Sequence, residues 1–133
     1  MNKFVKGINL QMDTKQINNL CIGVKLATEL KSENLNLRKF LTVQGYSYDH
    51  NGKIIRLKKV LRENTQDNIY FEVRCYELSK DYWTNNWDVT EDDLASEIYA
   101  DDIKGIERLK MELSKYINDF SVLKPEWESE NPL

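Results

Sequence analysis

The segment IYFEVRCYEL, residues 69–78, leaves few choices for the fold because its side chains alternate in character. Ile69, Phe71, Val73 and Cys75 occupy every second position, and Tyr70, Glu72, Arg74 and Tyr76 lie between them. Successive side chains of a β-strand point to opposite faces, so this pattern predicts a strand with one apolar face. A sheet with an apolar face needs a second layer to cover it.

Two further segments read as strands and complete an antiparallel meander. They are KFLTVQGYSYD (39–49) and KIIRLKKVL (53–61). The intervening Asn51-Gly52 pair favours a type I′ hairpin turn, because both central residues of that turn need a positive φ. RENTQDN (62–68) predicts the second turn, and weak alternation over residues 4–12 predicts a short additional strand.

Helical spacing of apolar residues predicts the covering layer. DTKQINNLCIGVKLATELKS (13–32) has this spacing, with Asp13 or Thr14 as the N-cap, although alternation from Leu20 to Leu26 leaves a strand open for part of residues 14–31. DDIKGIERLKMELSKYINDF (101–120) predicts a long C-terminal helix with one apolar stripe: Ile103, Ile106, Leu109, Leu113, Ile117 and Phe120. The order predicts a single α+β domain over residues 1–133, with an extended tail at 121–133 held by Trp127.

Composition narrows the classes of function. The net charge of −3 argues against a general binder of nucleic acid or of acidic membranes. No apolar run has the length of a signal sequence or a membrane span, so the prediction is a cytoplasmic protein without a membrane partner. The oligomeric state stays open. Cys21 and Cys75 stand far apart in sequence, which leaves both a disulfide and two reduced thiols open.

Motifs for catalysis or cofactor binding are scarce. The single histidine, His50, falls in the predicted hairpin turn, where a solvated side chain is the expected arrangement. The sequence has no Cys-x-x-Cys, His-Glu-x-x-His or glycine-rich phosphate motif, so we predict neither a catalytic centre nor a cofactor. Carboxylates can hold Mg²⁺, and two sets are conceivable: Asp67 with Glu72, or Glu91 with Asp92 and Asp93. Acids at a helix start are more often solvated and favoured by the helix dipole.

The most distinctive stretch is DYWTNNWDVTEDD, residues 81–93, which combines large aromatic side chains with acids. From residue 81 to residue 103 there are eight acids and no lysine or arginine. The aromatics either fold back onto the sheet or stand out as anchors for a partner, because Trp and Tyr dominate binding hot spots. The second interpretation predicts a partner-binding surface made of Tyr82, Trp83, Trp87, Asp88, Glu91, Asp92, Asp93 and Glu97. Such a surface steers a basic partner.

A second surface is open to a different use. The predicted polar sheet face carries Tyr46, Tyr48, Tyr70 and Tyr76 with Arg56, Lys58 and Arg74. Aromatic and basic side chains on an open sheet can stack and neutralise single-stranded nucleic acid. They also pack against each other across strands and shield the sheet. A nucleic-acid-associated accessory module is therefore the alternative function.

The chain is small and acidic and has an α+β build. Two of its segments carry a resemblance to a known family: the hairpin GYSYDHNGKI (45–54) and the closing YADDIKGIERLKMELSKYINDF (99–120). In size and build this chain resembles the immunity proteins of bacterial toxin–immunity systems, such as those of contact-dependent growth inhibition. The resemblance implies a non-enzymatic cytoplasmic inhibitor that binds and neutralises one cognate basic toxin, in particular a nuclease domain. It assigns no individual residue a role.

Overall fold

The structure, a computed structural model, describes residues 8–57 and 68–133. Its helices and strands follow one another in the order α1 (Thr14–Cys21), β1 (Leu26–Leu30), β2 (Leu37–Tyr48), β3 (Ile54–Arg56), β4 (Tyr70–Ser79), α2 (Asp81–Thr84), β5 (Ser96–Lys104), α3 (Ile106–Leu113) and β6 (Lys124–Pro125). Short 3₁₀ turns lie at Glu91–Asp93, Phe120–Val122 and Glu126–Glu128. The six strands found in the described residues belong to one antiparallel sheet, which confirms the predicted α+β class.

The strand order differs from the predicted meander. The sheet runs β5-β4-β2-β1-β6, and β3 pairs with the far end of β2. The third meander strand, β4, lies beside β2 rather than beside β3, with ten residues in register from Leu37–Ser79 to Tyr46–Tyr70. This long pairing joins two segments that are separated in sequence by β3. The alternation of side chains within each segment does not indicate which strands will pair. The predicted turn at 62–68 and the end of the second strand, residues 58–61, lie outside the described residues, apart from Asn68.

The predicted core face is confirmed. Ile69, Phe71, Val73 and Cys75 are all buried and belong to the main core cluster. Helix α3 packs on this face through Ile106, Leu109 and Leu113, and α1 contributes its last turn through Leu20 and Cys21. Both cysteines are buried free thiols, and burial raises the pKa of each.

The first helix is much shorter than predicted. It ends at Cys21, and residues 26–30, which were expected to continue it, form strand β1. Gly23 ends the helical path because its φ of 88° lies in the left-handed region that favours glycine. Sheet pairing of β1 with both β2 and β6 then outweighs the local helical spacing.

The prediction of a long C-terminal helix is also wrong. Residues 96–104 form strand β5, Gly105 reverses the backbone with a φ of 86°, and α3 covers only Ile106–Leu113. Ile103 pairs with Phe71 across the sheet instead of starting a helix. The predicted apolar stripe was nonetheless the correct set of core residues: Ile106, Leu109, Leu113 and Phe120 are buried, and Ile103 and Ile117 pack against them.

Two local predictions also change. Residues 8–12 form no strand, only a single bridge between Asn9 and Asp119, and residues 4–7 lie outside the described residues. The hairpin loop is one residue longer than a type I′ turn, with a positive φ at Gly52 and not at Asn51. The carboxylate of Asp49 stabilises this wider loop by accepting from the backbone N–H groups of Asn51 (2.8 Å) and Lys53 (2.9 Å). His50 is exposed in it.

The C-terminal tail is held in place by the buried side chain of Leu123, which belongs to the main core, and by polar contacts, whereas Trp127 is 70% exposed. Instead of staying extended, the tail forms β6 and two 3₁₀ turns. The buried amide of Gln16 donates to the carbonyls of Phe120 (2.7 Å) and Leu123 (3.0 Å), which ties α1 to this segment. The backbone N–H of Leu133 donates to the hydroxyl of Tyr76 at 3.4 Å.

None of the helices in the described part of the chain has the length and apolar character needed to cross a bilayer.

Candidate functional site

The acidic–aromatic segment, residues 81–97, leaves the end of β4 and returns to the sheet as β5. Its first part is the four-residue helix α2. Asn86 has a φ of 54°, a conformation that asparagine tolerates better than most residues. The chain reverses there, and the backbone N–H of Trp87 donates to the carbonyl of Tyr82 at 2.9 Å. This reversal brings two of the predicted anchors together.

Tyr82 and Trp87 form one aromatic pair. Their rings meet edge to face, with centroids 5.4 Å apart and planes at 84°. Tyr82 is half-buried, whereas Trp87 is 55% exposed. Offset and edge-to-face aromatic pairs are favourable beyond the area that they bury. The exposed indole of Trp87 is therefore held in position by a neighbouring ring instead of moving freely in water.

Trp83 has a different environment from the other two anchors. Its ring stacks on Phe40, with centroids 5.6 Å apart and an angle of 27° between the planes. The guanidinium of Arg38 lies 4.4 Å from the centroid of the same ring. Arg38 also donates to Glu29 at 2.8 and 2.6 Å and to Glu130 at 2.9 Å. Trp83 thus packs on the sheet face opposite the main core, and its partner-binding role stays a prediction.

The 3₁₀ turn Glu91–Asp93 completes the segment beside the aromatic pair. Thr90 caps it: the Asp93 carboxylate accepts from the Thr90 backbone N–H (2.7 Å) and hydroxyl (3.1 Å). These bonds lower the pKa of Asp93 below its usual range, with a smaller contribution from the Tyr82 hydroxyl. The contact between Tyr82 and Asp93 places the turn next to the Tyr82–Trp87 pair.

Four further carboxylates of the segment, at positions 88, 91, 92 and 97, fall into two groups. Glu91 and Glu97 both bind Arg74, whose guanidinium also lies 5.3 Å from the ring of Tyr76. Asp88 and Asp92 are exposed and make no hydrogen bond or ion pair with any residue in the described ranges. Since one arginine meets two carboxylates, the Arg74 cluster stays net negative. The segment therefore keeps the negative surface charge that its composition predicts.

The tyrosine–basic face offers less open surface than the sequence predicts. Tyr46 and Tyr76 are almost fully buried, contrary to prediction, while Tyr48 and Tyr70 are half-buried. Arg74 is occupied by its two carboxylates. Lys58 lies outside the described residues. Tyr76 is buried because it forms a second buried layer with Phe40 and Leu78, under Trp83 and the C-terminal tail. Sequence reasoning did not predict this layer.

A tyrosine–aspartate cluster that sequence reasoning missed joins β2 to β5 across β4. The hydroxyls of Tyr46 (2.6 Å) and Tyr48 donate to the carboxylate of Asp102, and the Asp102 backbone N–H donates to Tyr46 at 2.7 Å. Asp102 lies in a β-bulge and has a φ of 54°. Bulges re-aim side chains in this way. The alternation of Tyr46 and Tyr48 indicated that the two tyrosines share a sheet face. No feature of the sequence predicted the bulge that brings Asp102 to them.

Acid is expected to weaken the fold partly through this cluster. The hydrogen bonds from Tyr46 and Tyr48 lower the pKa of Asp102, so their stabilising contribution is present above the ordinary aspartate pKa of about 4 and is lost as the pH falls through the lower, folded-state pKa. We expect Asp102→Asn to show a shallower loss of stability than wild type between pH 6 and pH 2–3, measured by urea denaturation. Asp101→Asn is the matched control, and equal flattening in both variants would contradict the assignment.

Within the described residues, no group of three or more histidine, cysteine, aspartate or glutamate side chains is arranged to hold a metal ion. That includes Glu91, Asp92 and Asp93; the other conceivable pair involves Asp67, which lies outside the described residues. Comparisons with protein-family models, with curated protein sequences and with solved structures give no match for this chain. The geometry of the surface is therefore the basis for a functional proposal.

Proposed function

We propose that this chain is a non-enzymatic inhibitor of the immunity-protein kind, which acts in the cytoplasm and neutralises a cognate basic protein toxin, in particular a nuclease. The observation that carries the proposal is the exposed indole of Trp87, held by Tyr82 next to carboxylates that no described residue neutralises. A large rigid aromatic side chain gains free energy when a partner removes it from water, and it loses little conformational freedom in doing so.

The charge arrangement supports a basic partner. Arg38 and Arg74 lie on this side of the sheet, and each already binds two carboxylates. Asp88 and Asp92 are left to face solvent. A nuclease surface that grips phosphate groups is rich in lysine and arginine. Acids around an aromatic anchor would attract such a surface, speed association and compete with the nucleic acid.

The structure refines which acids a test should change. Asp93 caps its own turn, and Glu91 and Glu97 stabilise Arg74, so reversing any of these three would also disturb the local fold. Asp88 and Asp92 carry no such internal contact in the described structure. We therefore choose the double variant Asp88→Lys/Asp92→Lys.

The partner is first isolated by affinity capture from the native host, and its Kd is then measured at low and high salt. We expect the double variant to weaken binding by roughly 10- to 100-fold at about 0.05 M salt, mainly through slower association, and by less at about 0.5 M salt. Glu33→Lys/Glu128→Lys, which makes the same change in net charge at exposed sites elsewhere, is the control. Equal losses in the two double variants, or an unchanged salt dependence, would refute the proposed site.

A further inference from the structure

The surroundings of Arg38 show how this side of the molecule holds a cation. The guanidinium carbon lies 4.4 Å from the ring centroid of Trp83, on strand β2's outer face. The same guanidinium donates to Glu29 at 2.8 and 2.6 Å and to Glu130 at 2.9 Å. One arginine therefore contacts an aromatic ring and two carboxylates at once.

Arg74, on the neighbouring strand β4, repeats this arrangement. Its guanidinium carbon lies 5.3 Å from the ring centroid of Tyr76, and the group binds Glu91 and Glu97. A planar guanidinium can stack its face on a ring while its N–H groups donate to carboxylates at its edge. A ring together with two carboxylates is thus a combination that this protein uses twice to bind an arginine.

Trp87 offers the same combination at the surface. Its indole is 55% exposed and is held edge to face by Tyr82, with the ring centroids 5.4 Å apart. Asp88 follows it directly in the chain, Asp92 lies in the turn beside the aromatic pair, and both are exposed. No arginine or lysine in the described ranges contacts this ring or these two carboxylates. The ring and the acids are present, and the cation is left for a partner to supply.

From this parallel we infer that Trp87, with Asp88 and Asp92, binds an arginine side chain of the partner protein. The inference rests on the proposed function, because it names the chemical group by which the basic partner is recognised at that site. Arginine suits the site better than lysine, since an ammonium is a compact, strongly hydrated charge that does not stack. The contact with Tyr82 fixes the indole in advance, which lowers the entropy lost on binding.

A short peptide tests the site without the natural partner. The probe is acetyl-Gly-Arg-Gly-amide, and its controls replace arginine with lysine or with citrulline, which keeps the planar shape and lacks the charge. NMR titration of the full chain at about 0.02 M salt follows the indole N–H signals, which Trp→Phe variants assign. We expect the arginine peptide to bind at Trp87 with a Kd of about 5 mM, the lysine peptide about fivefold more weakly and the citrulline peptide at least about tenfold more weakly.

Trp127 is an internal control in the same titration. It is 70% exposed and lies between Glu126 and Glu128, so its local composition is similar. In the described part of the chain, however, no aromatic ring holds it, and Lys25 lies 3.9 Å from the Glu126 carboxylate. We expect its signal to report binding at least about fivefold weaker than that at Trp87. Equal Kd values at the two indoles would show non-specific contact and overturn the inference.

Matched variants test the carboxylates. Asp88→Asn/Asp92→Asn removes two charges with little change in size and should weaken the arginine peptide at Trp87 by about fivefold. Glu33→Gln/Glu128→Gln removes two charges at exposed sites elsewhere and should leave this Kd within about twofold. Equal weakening by the two double variants, or a lysine peptide that binds as tightly as the arginine peptide, would each overturn the inference.

The captured partner separates this inference from the proposed function. If Asp88→Lys/Asp92→Lys weakens the partner and the arginine peptide does not bind at Trp87, the inhibitor function stands and the arginine site is overturned. If the peptide binds at Trp87 while the aspartate variant leaves the partner's affinity unchanged, the proposed function loses its site and the arginine site stands on the peptide result.

Discussion

Replacing Gly23 with alanine is expected to lower the free energy of unfolding by about 3 kcal/mol, combining a left-handed backbone penalty with a clash. Gly23 has a φ of 88°, and a Cβ added there would lie 2.0 Å from the carbonyl oxygen of Leu57. That oxygen belongs to the backbone, so it cannot move aside as a flexible side chain would. The buried side chain of Leu57 also belongs to the core, so a shift of this segment disturbs packing. Urea denaturation followed by circular dichroism measures the loss.

Gly52→Ala is the matched control for that variant. Gly52 has a φ of 80°, and no atom lies within 4 Å of the place that a Cβ would occupy. It therefore keeps the conformational penalty and removes the clash, and we expect a cost of about 1 kcal/mol. Equal losses at the two glycines would show that the close approach of Leu57 is not what requires Gly23.

Trp87→Ala is expected to weaken the captured partner by at least about 30-fold, which corresponds to about 2 kcal/mol for a hot-spot tryptophan. The indole is 55% exposed in the free protein, so its removal should change the free energy of unfolding little. The loss should appear mainly in the dissociation rate, because a buried aromatic contact forms after the charged surfaces have met. Surface plasmon resonance separates the two rate constants.

Trp127→Ala controls for the general effect of removing an exposed indole. Trp127 is 70% exposed and lies in the 3₁₀ turn Glu126–Glu128, also among acids, but outside the acidic–aromatic segment. We expect it to leave the affinity within about twofold. If Trp127→Ala weakens the partner as much as Trp87→Ala does, the binding surface lies at the C-terminal tail and the proposed site is wrong.

The candidate site was only partly visible in the sequence. The sequence alone showed that acids and aromatic residues cluster over residues 81–97. The sequence did not separate Trp83, which packs on Phe40, from Trp87, which faces solvent. It also did not show that Arg74 binds Glu91 and Glu97. Both facts depend on which residues of distant strands lie opposite each other.

The apolar pattern alone determined the α+β class and most of the main core. Alternation over residues 69–78 and the stripe around Ile106, Leu109 and Leu113 selected residues that are buried in the structure, because removal from water acts on each side chain whatever its partners. Tertiary pairing decided the rest. Residues 26–30 and 101–104 have helical spacing yet become strands, since backbone hydrogen bonds to β2 and β4 and contact with the core outweigh a helix preference of a fraction of a kcal/mol per residue.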